Sequence, residues 1–423
     1  MILVVVFFVL LCLGLPICFV IGGSSVVWLF NRDMDLFLLA QRMFAGMDSF
    51  VLLAMPFFML CGTLMNYSGI TRRMIEFAKV CVGHLPGGLS QINVLASMLF
   101  AGVSGSASAD TSAIGGVMIP SMVKEGYSPE YSAAVTAASS CVGPIIPPSH
   151  LMLVYAVLAN CSPAYLFVAG IAPGLLLGIS QMVLCAYYAK KRNYMSHVKR
   201  ASLKQFLNTA RDGFMALLAP AIILVGITSG FCSPTEAGAL AVVYCLFLGL
   251  VVYKELRIKD FPKILVETAI TTGSCFLIIA TANFMAWLIT SAGIPQIMAG
   301  FLAPLTSNWR LLMMGFILVL LFFGTFMDTI AAMIILVPIF LPLARIAGIN
   351  PAHLGLVVVL GMDLGVITPP VGVCLFLSCK IANIKLEPLV KEILPFIIVS
   401  AAVLVVIGMI PQFVLFLPEL FKV

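Results

Sequence analysis

Charge is what this chain has least of. Asp, Glu, Lys and Arg together make up 9% of its 423 residues, against 62% hydrophobic residues and a mean hydropathy of +1.16. That balance excludes a water-soluble globular domain. Histidine is also scarce: His84, His150, His197 and His353 form no ligand spacing. The 12 cysteines lie singly in apolar stretches with no CxxC among them, which argues against a disulfide frame or a metal site. They read as small core residues. The apolar runs are continuous rather than alternating, so a membrane β-barrel is excluded in favour of spanning helices. Residues 2–30 have neither a basic leading region nor a small-residue cleavage site, and are expected to be one retained membrane helix. The net charge of +6 is carried in loops, where membrane orientation accounts for it; nucleic acid is not an expected partner.

What remains is a polytopic helical pattern broken at matched places. Apolar segments long enough for a bilayer recur from end to end, beginning at 2–30 and 48–66. The stretch 70–85, with Arg72, Arg73 and Lys79, is amphipathic. It reads either as a solvated connector or as a helix lying in the interface plane.

A polar pattern then occurs twice. The first copy is Gly102-Val-Ser-Gly-Ser-Ala-Ser-Ala-Asp110-Thr111, Pro120 and Gly143-Pro-Ile-Ile-Pro147-Pro148. The second is Gly324-Thr-Phe-Met-Asp328-Thr329, Pro338 and Gly365-Val-Ile-Thr-Pro369-Pro370. Asp110 and Asp328 are 218 positions apart, as are Pro120 and Pro338. The Gly and Pro-Pro elements are 222 apart, as are Pro173 and Pro395, which suggests a four-residue insertion in the second half.

Each copy predicts the same local structure. Segments 91–123 and 310–347 read as hairpins, with arms of roughly 12–15 residues, short of the ~20 that span. Their tips fall at the Gly/Ser/Asp centres. Segments 130–160 and 352–384 read as helices unwound at Gly-x-x-x-Pro-Pro, because proline removes a backbone donor and restricts its predecessor. Unwound backbone at membrane depth persists only when buried in protein or lining a wet cavity. Paired interruptions in two halves point to a transporter's binding site.

The chemistry follows from what a broken helix releases. Free carbonyls beside hydroxyls suit Na⁺; free amides at a half-helix N-terminus suit an anion. Gly143 and Ile146 match Gly365 and Thr368 at the 222 offset, and Ser104, Ser106 and Thr325 add tip hydroxyls, so two Na⁺ sites are expected, one per half. The plainer reading is that Gly and Pro merely allow kinks or close packing. Asp110 and Asp328 read as matching membrane carboxylates, functional by default, or as helix N-caps. Asp363 is expected to be a hydrogen-bonded supporting residue.

Loop charge sets orientation. Residues 190–204 carry Lys190, Lys191, Arg192, Lys199, Arg200 and Lys204 with no acid; residues 254–263 are also basic. Both are expected in the cytoplasm. Two helices, roughly 213–230 and 236–253, go out and return between them, turning at Cys232-Ser-Pro-Thr-Glu236. If the repeats are inverted, the helix over 389–412 ends in the periplasm and so does the C-terminus.

These motifs together, with Gly143-Pro-Ile-Ile-Pro-Pro-Ser149, Ser233-Pro-Thr-Glu-Ala237 and Ile367-Thr-Pro-Pro-Val-Gly372, resemble the large membrane subunit of tripartite ATP-independent periplasmic (TRAP) transporters, the DctM-like family, over essentially the whole chain. The resemblance implies an all-α polytopic protein of the bacterial inner membrane: an inverted-repeat, elevator-type transporter with two re-entrant hairpins and two broken helices. It implies Na⁺-driven import of a small organic anion. It implies two partners, a small four-helix membrane subunit of the Q type and a periplasmic substrate-binding protein of the P type, with lipid around both membrane subunits. The chain opens directly on the large subunit's first helix, so the small subunit is expected as a separate chain.

By the same resemblance, Ser104, Ser106, Gly143, Ile146 and Pro147 hold one cation. Gly324, Gly365, Thr368 and Val371 hold the other, and Ser106, Asp110, Ser149 and Asp328 surround the substrate. Sialic-acid members carry an arginine shortly after the long helix preceding the second hairpin. Here that stretch is Trp287-Leu-Ile-Thr-Ser291-Ala-Gly, with no base before Arg310, which favours a smaller carboxylate or sulfonate. The implied division is 1–90 scaffold helices and interfacial arm, 91–189 transport repeat 1, 190–309 loop, scaffold helices and second arm, and 310–423 transport repeat 2 with the C-terminal helix. Two other readings compete. An intramembrane aspartyl protease would need two carboxylates sharing a proton, but no Gly-x-Gly-Asp motif is present. A passive anion channel would show flux independent of a Na⁺ gradient.

Overall fold

The computed structural model describes residues 2–194, 203–293, 297 and 307–421. Every regular element among these residues is helical. Among the described residues six helices are long and apolar enough to cross a membrane, and several shorter apolar helices accompany them.

The N-terminal segment departs from the single helix expected over 2–30. It forms α1 (Ile2–Cys12) and α2 (Ile17–Asn31), folded against each other so that Gly23 lies beside Leu10. The reason is local: Gly14 takes φ +75 and Pro16 stands at the N-cap of α2, so the chain cannot continue one helix through them. Next come α3 (Phe37–Met47), α4 (Ala54–Tyr67) and α5 (Ile70–Val82). Helix α5 is the amphipathic stretch. Its apolar row Ile70, Met74, Ile75 and Ala78 is buried against protein, on α6 and α11, rather than in lipid. Its Arg72 and Arg73 both pair with Glu255, at 3.0 and 2.9 Å.

The first hairpin is α6 (Gly88–Ser104) and α7 (Ala107–Lys124); the second is α14 (Trp309–Gly324) and α15 (Thr329–Ile346). Their arms have 16 to 18 residues, longer than expected; in α7 this is because the small polar run Ala107–Asp110 is itself helical. The broken helices are α8 (Pro129–Ser140) with α9 (His150–Ala159), and α16 (Pro351–Gly365) with α17 (Val373–Ala382). Ser128 and Asn350 cap α8 and α16, each followed by proline at the first helical position. The long α10 (Pro163–Arg192) and α18 (Leu386–Met409) follow, and a short α19 (Pro411–Phe421) ends the chain.

These helix limits correct the offset. Ala107–Lys124 and Thr329–Ile346 are 222 apart at both ends, so the second helix of each hairpin shares the offset of the Pro-Pro breaks, while the first arms, Gly88–Ser104 and Trp309–Gly324, are 221 apart at their starts and 220 at their ends. There is no four-residue insertion. Asp328 corresponds to Ser106, Asp110 to Ala332, and Pro120 to Pro342. Both Pro-Pro bonds, Pro147–Pro148 and Pro369–Pro370, are cis.

The two halves interlock. Helix α9 packs on α15 and α16 of the second half, and α17 packs on α7 and α8 of the first. Arg192, at the end of α10, pairs with Glu392 near the start of α18 at 2.8 Å; farther along, Gln181 Nε2 donates to Ser400 Oγ at 3.3 Å. Rising numbers on α10 meet falling numbers on α18, so these counterpart helices run antiparallel. At the centre Cys141 Sγ donates to the Asp363 carbonyl at 3.5 Å, and the two positions are 222 apart. A contact between counterpart positions is what a two-fold relation between the halves produces.

The same geometry is held by different chemistry in each half. Hairpin 1 meets α8 through hydroxyl and amide pairs: Asn93–Thr136 at 2.7 Å, Ser97–Ser139 at 2.8 Å and Thr111–Ser140 at 2.8 Å. Small polar residues of this kind let membrane helices approach closely. Within hairpin 2 the two arms are held by apolar packing, with Phe316 stacked on Phe340 at 4.2 Å. The remaining helices, α11 (Leu203–Thr228), α12 (Pro234–Phe247) and α13 (Phe261–Ser291), pack with α2 to α5 beside the hairpins. The turn before α12 is a capping box between Ser233 and Glu236.

Candidate functional site

Each hairpin tip rests on the break in its own half. In the first half, Gly105 (φ +55) brings the tip against Pro148, Ser149 and His150, with a side-chain carbon at that position falling 3.1 Å from the Ser149 Cα. In the second, Gly324 lies so close to Gly365 that a Cβ on Gly365 would overlap the Gly324 backbone. At Gly365 the approach itself requires glycine; at Gly105 the positive φ favours it and the spacing leaves little room.

The breaks release carbonyls. Among the described residues, none of the carbonyls from Gly143 to Pro148 accepts a hydrogen bond. In the second half Gly365 O is taken by the Thr368 amide at 3.0 Å, while among the described residues the carbonyls from Ile367 to Val371 accept none. Thr368 Oγ1 donates to Leu364 O at 2.7 Å, which commits its proton and leaves the oxygen able to accept. Break 1 is almost wholly buried, whereas Pro370 and Val371 are exposed. Ser104 ends α6, and its side chain lies outside the described residues.

A cavity of about 490 Å³ opens beside the tips. Ser106 and Asp328 line it; Asp110 and Ser149 do not. Asp110 is buried within the first turn of α7 and turned against Gly143, so it does not occupy an N-cap position. The helix starts four residues earlier than its sequence suggested, with Ser106 at the N-cap. Asp328 does cap α15, its Oδ1 accepting from the amides of Ile330 and Ala331 at 3.0 and 3.2 Å. Ser149 caps α9 through the Met152 amide at 3.4 Å. Asp363 is not the satisfied supporting residue expected. It lines the cavity, and its Oδ2 has no hydrogen-bond partner.

Four helix N-termini meet at this cavity. Ser106–Ala109, His150–Leu151, Asp328–Ile330 and Val373–Cys374 all line it, and these are the starts of α7, α9, α15 and α17. Each N-terminus carries roughly half a positive charge and unsatisfied amides. No Lys or Arg lines the cavity among the described residues. The space therefore suits an anion held by amides and hydroxyls rather than by a fixed base.

Sequence reasoning missed the far wall. Thr63 and Asn66 of α4 and Thr271 of α13 complete the cavity, as do Ser108 and Ser112 of α7. The Thr63/Asn66 pair at helical spacing in an apolar segment was the available signal. His150 also lines the cavity, although histidine spacing had given it no role.

The chain matches the family described as tripartite ATP-independent periplasmic transporter, DctM component, over residues 4–413. It is 40% identical over 400 residues to the C4-dicarboxylate TRAP transporter large permease protein DctM of Pseudomonas aeruginosa, covering 94% of this chain and 93% of that one. It is 39% identical over 413 residues to the sialic acid TRAP transporter large permease protein SiaM of Vibrio cholerae, covering 97% and 96%. Among solved structures, its fold resembles the Alcanivorax borkumensis YdaH transporter with a TM-score of 0.67 at 14% identity, covering 97% and 98% of the two chains.

Proposed function

Because this chain belongs to the DctM component family of tripartite ATP-independent periplasmic transporters, we propose that it is the Na⁺-coupled, elevator-type importer subunit for a small organic anion. It is a multi-pass membrane permease and not an enzyme. The protease reading falls on that membership. Its chemistry has no footing either, since Asp110 stays outside the cavity that Asp328 lines.

The observation that carries the proposal is the convergence of two hairpin tips, two breaks and four helix N-termini on one cavity. One wall of that cavity belongs to α4 and α13, and the other to the hairpins and broken helices. In this reading α1–α5 and α11–α13 form the scaffold. The interlocked hairpins, broken helices, α10 and α18 move as one transport body, within the division 1–90, 91–189, 190–309 and 310–423. The antiparallel α10/α18 pair supports inverted repeats. The cavity lies at the sliding boundary, so displacement of the body exposes it alternately to the two sides.

Na⁺ supplies the missing positive charge. A substrate anion beside Asp328 and Asp363 is unfavourable in a low-dielectric setting unless cations accompany it. The free carbonyls of Gly143, Ile146 and Pro147, with Ser104 and Ser106 at the tip, are the proposed ligands of one Na⁺. Gly324, Gly365, Thr368 and Val371 are those of the other. Ordering each tip over its break through Na⁺ completes the cavity wall, which couples the two bindings.

The word tripartite implies two further components; we assign them as a Q-type small membrane subunit, which holds the scaffold still, and a P-type periplasmic binding protein, which delivers substrate. The proposed site is the bacterial inner membrane, with loop 190–204 cytoplasmic and the C-terminus periplasmic. Helix α19, at 11 residues, is about 16 Å long and too short to return the chain across a bilayer. The test is uptake in proteoliposomes containing both membrane subunits, with and without Na⁺ and a binding protein. Uptake unaffected by a Na⁺ gradient would favour the channel. Uptake by the purified chain alone, equal to that of the full system, would remove the partners from the mechanism.

A further inference from the structure

We propose that the cavity empties along one route, toward the end of the molecule where α13 begins and α17 finishes, and that Lys263 and Lys380, on the two walls of this route, form a second station for the departing anion outside the cavity. The inference rests on the transport reading and adds an exit site to it.

The route is set by which side is closed. On α13 the cavity is lined by Thr271 and Cys275. Past them α13 packs against neighbouring helices, and Ile279, Ala280, Ala282, Phe284 and Met285 are buried. Toward the start of α13 the walls stay open. Asn66 on α4, Ser112 and Gly116 on α7 and Thr271 are exposed, and a side-chain carbon at Gly116 would meet nothing within 4 Å. Segment 254–263 leads into this end and is basic, so the end is expected to face the cytoplasm.

The helical rows that line the cavity run on to two bases. On α17 Val373 and Leu377 line it, and Lys380 follows one turn later on the same face, about 4.5 Å farther along. Lys380 is exposed and makes no ion pair among the described residues. On α13 the row Cys275, Thr271 continues to Glu267 and Lys263, the last about 12 Å beyond Thr271. Tyr67, next to the lining residue Asn66, donates its hydroxyl to Glu267 at 3.0 Å, and Lys263 lies over the Tyr67 ring at 5.5 Å. These three residues form the sill of the scaffold wall. Lys263 Nζ is 3.9 Å from Glu267, beyond hydrogen-bond distance, so its N–H donors remain available. An anion leaving a cavity that contains Asp328 and Asp363 and no base meets its first fixed positive charges here. Charges of one sign along a cleft with low-dielectric walls speed the passage of the opposite ion by roughly 10- to 1,000-fold. Membrane orientation alone accounts for lysines at this end, but not for one on the lining row of each wall.

The test uses the complex of both membrane subunits in phosphatidylcholine nanodiscs, with Ser112→Cys as a reporter on the cavity wall. The probes are an anion, sulfonatoethyl methanethiosulfonate, and a cation, trimethylammonioethyl methanethiosulfonate; peptide mass spectrometry follows the rate of modification at position 112. Adding Lys263→Gln and Lys380→Gln together is expected to lower the anion-to-cation rate ratio about tenfold. Lys263→Arg with Lys380→Arg should keep the parent ratio. Choline chloride at about 1 M, where the screening length is about 3 Å, should remove the difference between parent and glutamine variant. Lysines that only anchor the chain in the membrane would leave the ratio unmoved. An unchanged ratio in the glutamine variant, or no reaction at position 112, overturns the exit station. So does a parent ratio that drops to the variant's value when phosphatidylglycerol replaces phosphatidylcholine, which would assign the lysines to lipid phosphate. Anion uptake that persists in proteoliposomes without a Na⁺ gradient would instead overturn the coupled-transport reading and leave the rate ratio as it is.

Discussion

Ser106 and Asp328 are 222 residues apart and stand at the same N-cap of the second helix in their hairpins, facing one cavity. The apparent match of Asp110 with Asp328 follows residue type and misses this register. A hairpin helix is placed by where it starts, and its start is set by capping geometry. The consequence is a site with matched helix starts and a carboxylate at only one of the two caps.

Gly365→Ala is expected to be severe. The new methyl group overlaps the Gly324 backbone, which cannot move as a flexible side chain could. Overpacking of this kind costs about 1–3 kcal/mol, and here it also displaces the hairpin 2 tip. Gly116→Ala is the control, because nothing lies within 4 Å of that position. Thermal unfolding and uptake should both fall for Gly365→Ala, while Gly116→Ala matches or exceeds the parent.

Thr368→Val keeps shape and removes one oxygen. Its hydroxyl now donates to Leu364 O at 2.7 Å and keeps its lone pairs available. The Na⁺ concentration for half-maximal uptake should rise on the order of tenfold. An unchanged Na⁺ activation curve would remove Thr368 from the proposed second site.

Arg192 and Glu392 tie the halves together at 2.8 Å, and the guanidinium lies 5.3 and 4.8 Å from the Tyr131 and Tyr188 rings. Arg192→Glu should destabilise by about 1 kcal/mol or more, since a partly exposed ion pair and cation–π contacts are lost together. Exchanging both charges restores the pair but not the stacking, so recovery of unfolding temperature should be partial. Full recovery would mean that the aromatic contacts contribute nothing.

Orientation can be read by labelling. Single cysteines at Ser196 and Lys422, in a cysteine-free background, should differ when an impermeant thiol reagent is applied to spheroplasts. Position 422 should label and position 196 should not, because the basic loop is expected inside and α10 and α18 run antiparallel. Labelling of both from the same side would rule out inverted halves.

The sequence alone was enough to establish the solvent, the helical class, the duplication and the two kinds of interruption. Each of these depends on local composition: apolar length for spans, Pro-Pro for a break, a Gly/Ser centre for a tip. Gly14 and Pro16 carried the split of the first segment in the same local way, although apolar length outweighed them. The tertiary structure decided what local composition cannot. It brought Thr63, Asn66 and Thr271 from distant helices to the far wall of the cavity. It turned Asp110 inward against Gly143 and left Asp328 and Asp363 facing the cavity, though all three are aspartates beside similar breaks. The physical reason is that a side chain's direction depends on its turn of helix and on what packs behind it, and both are set by contacts between the halves.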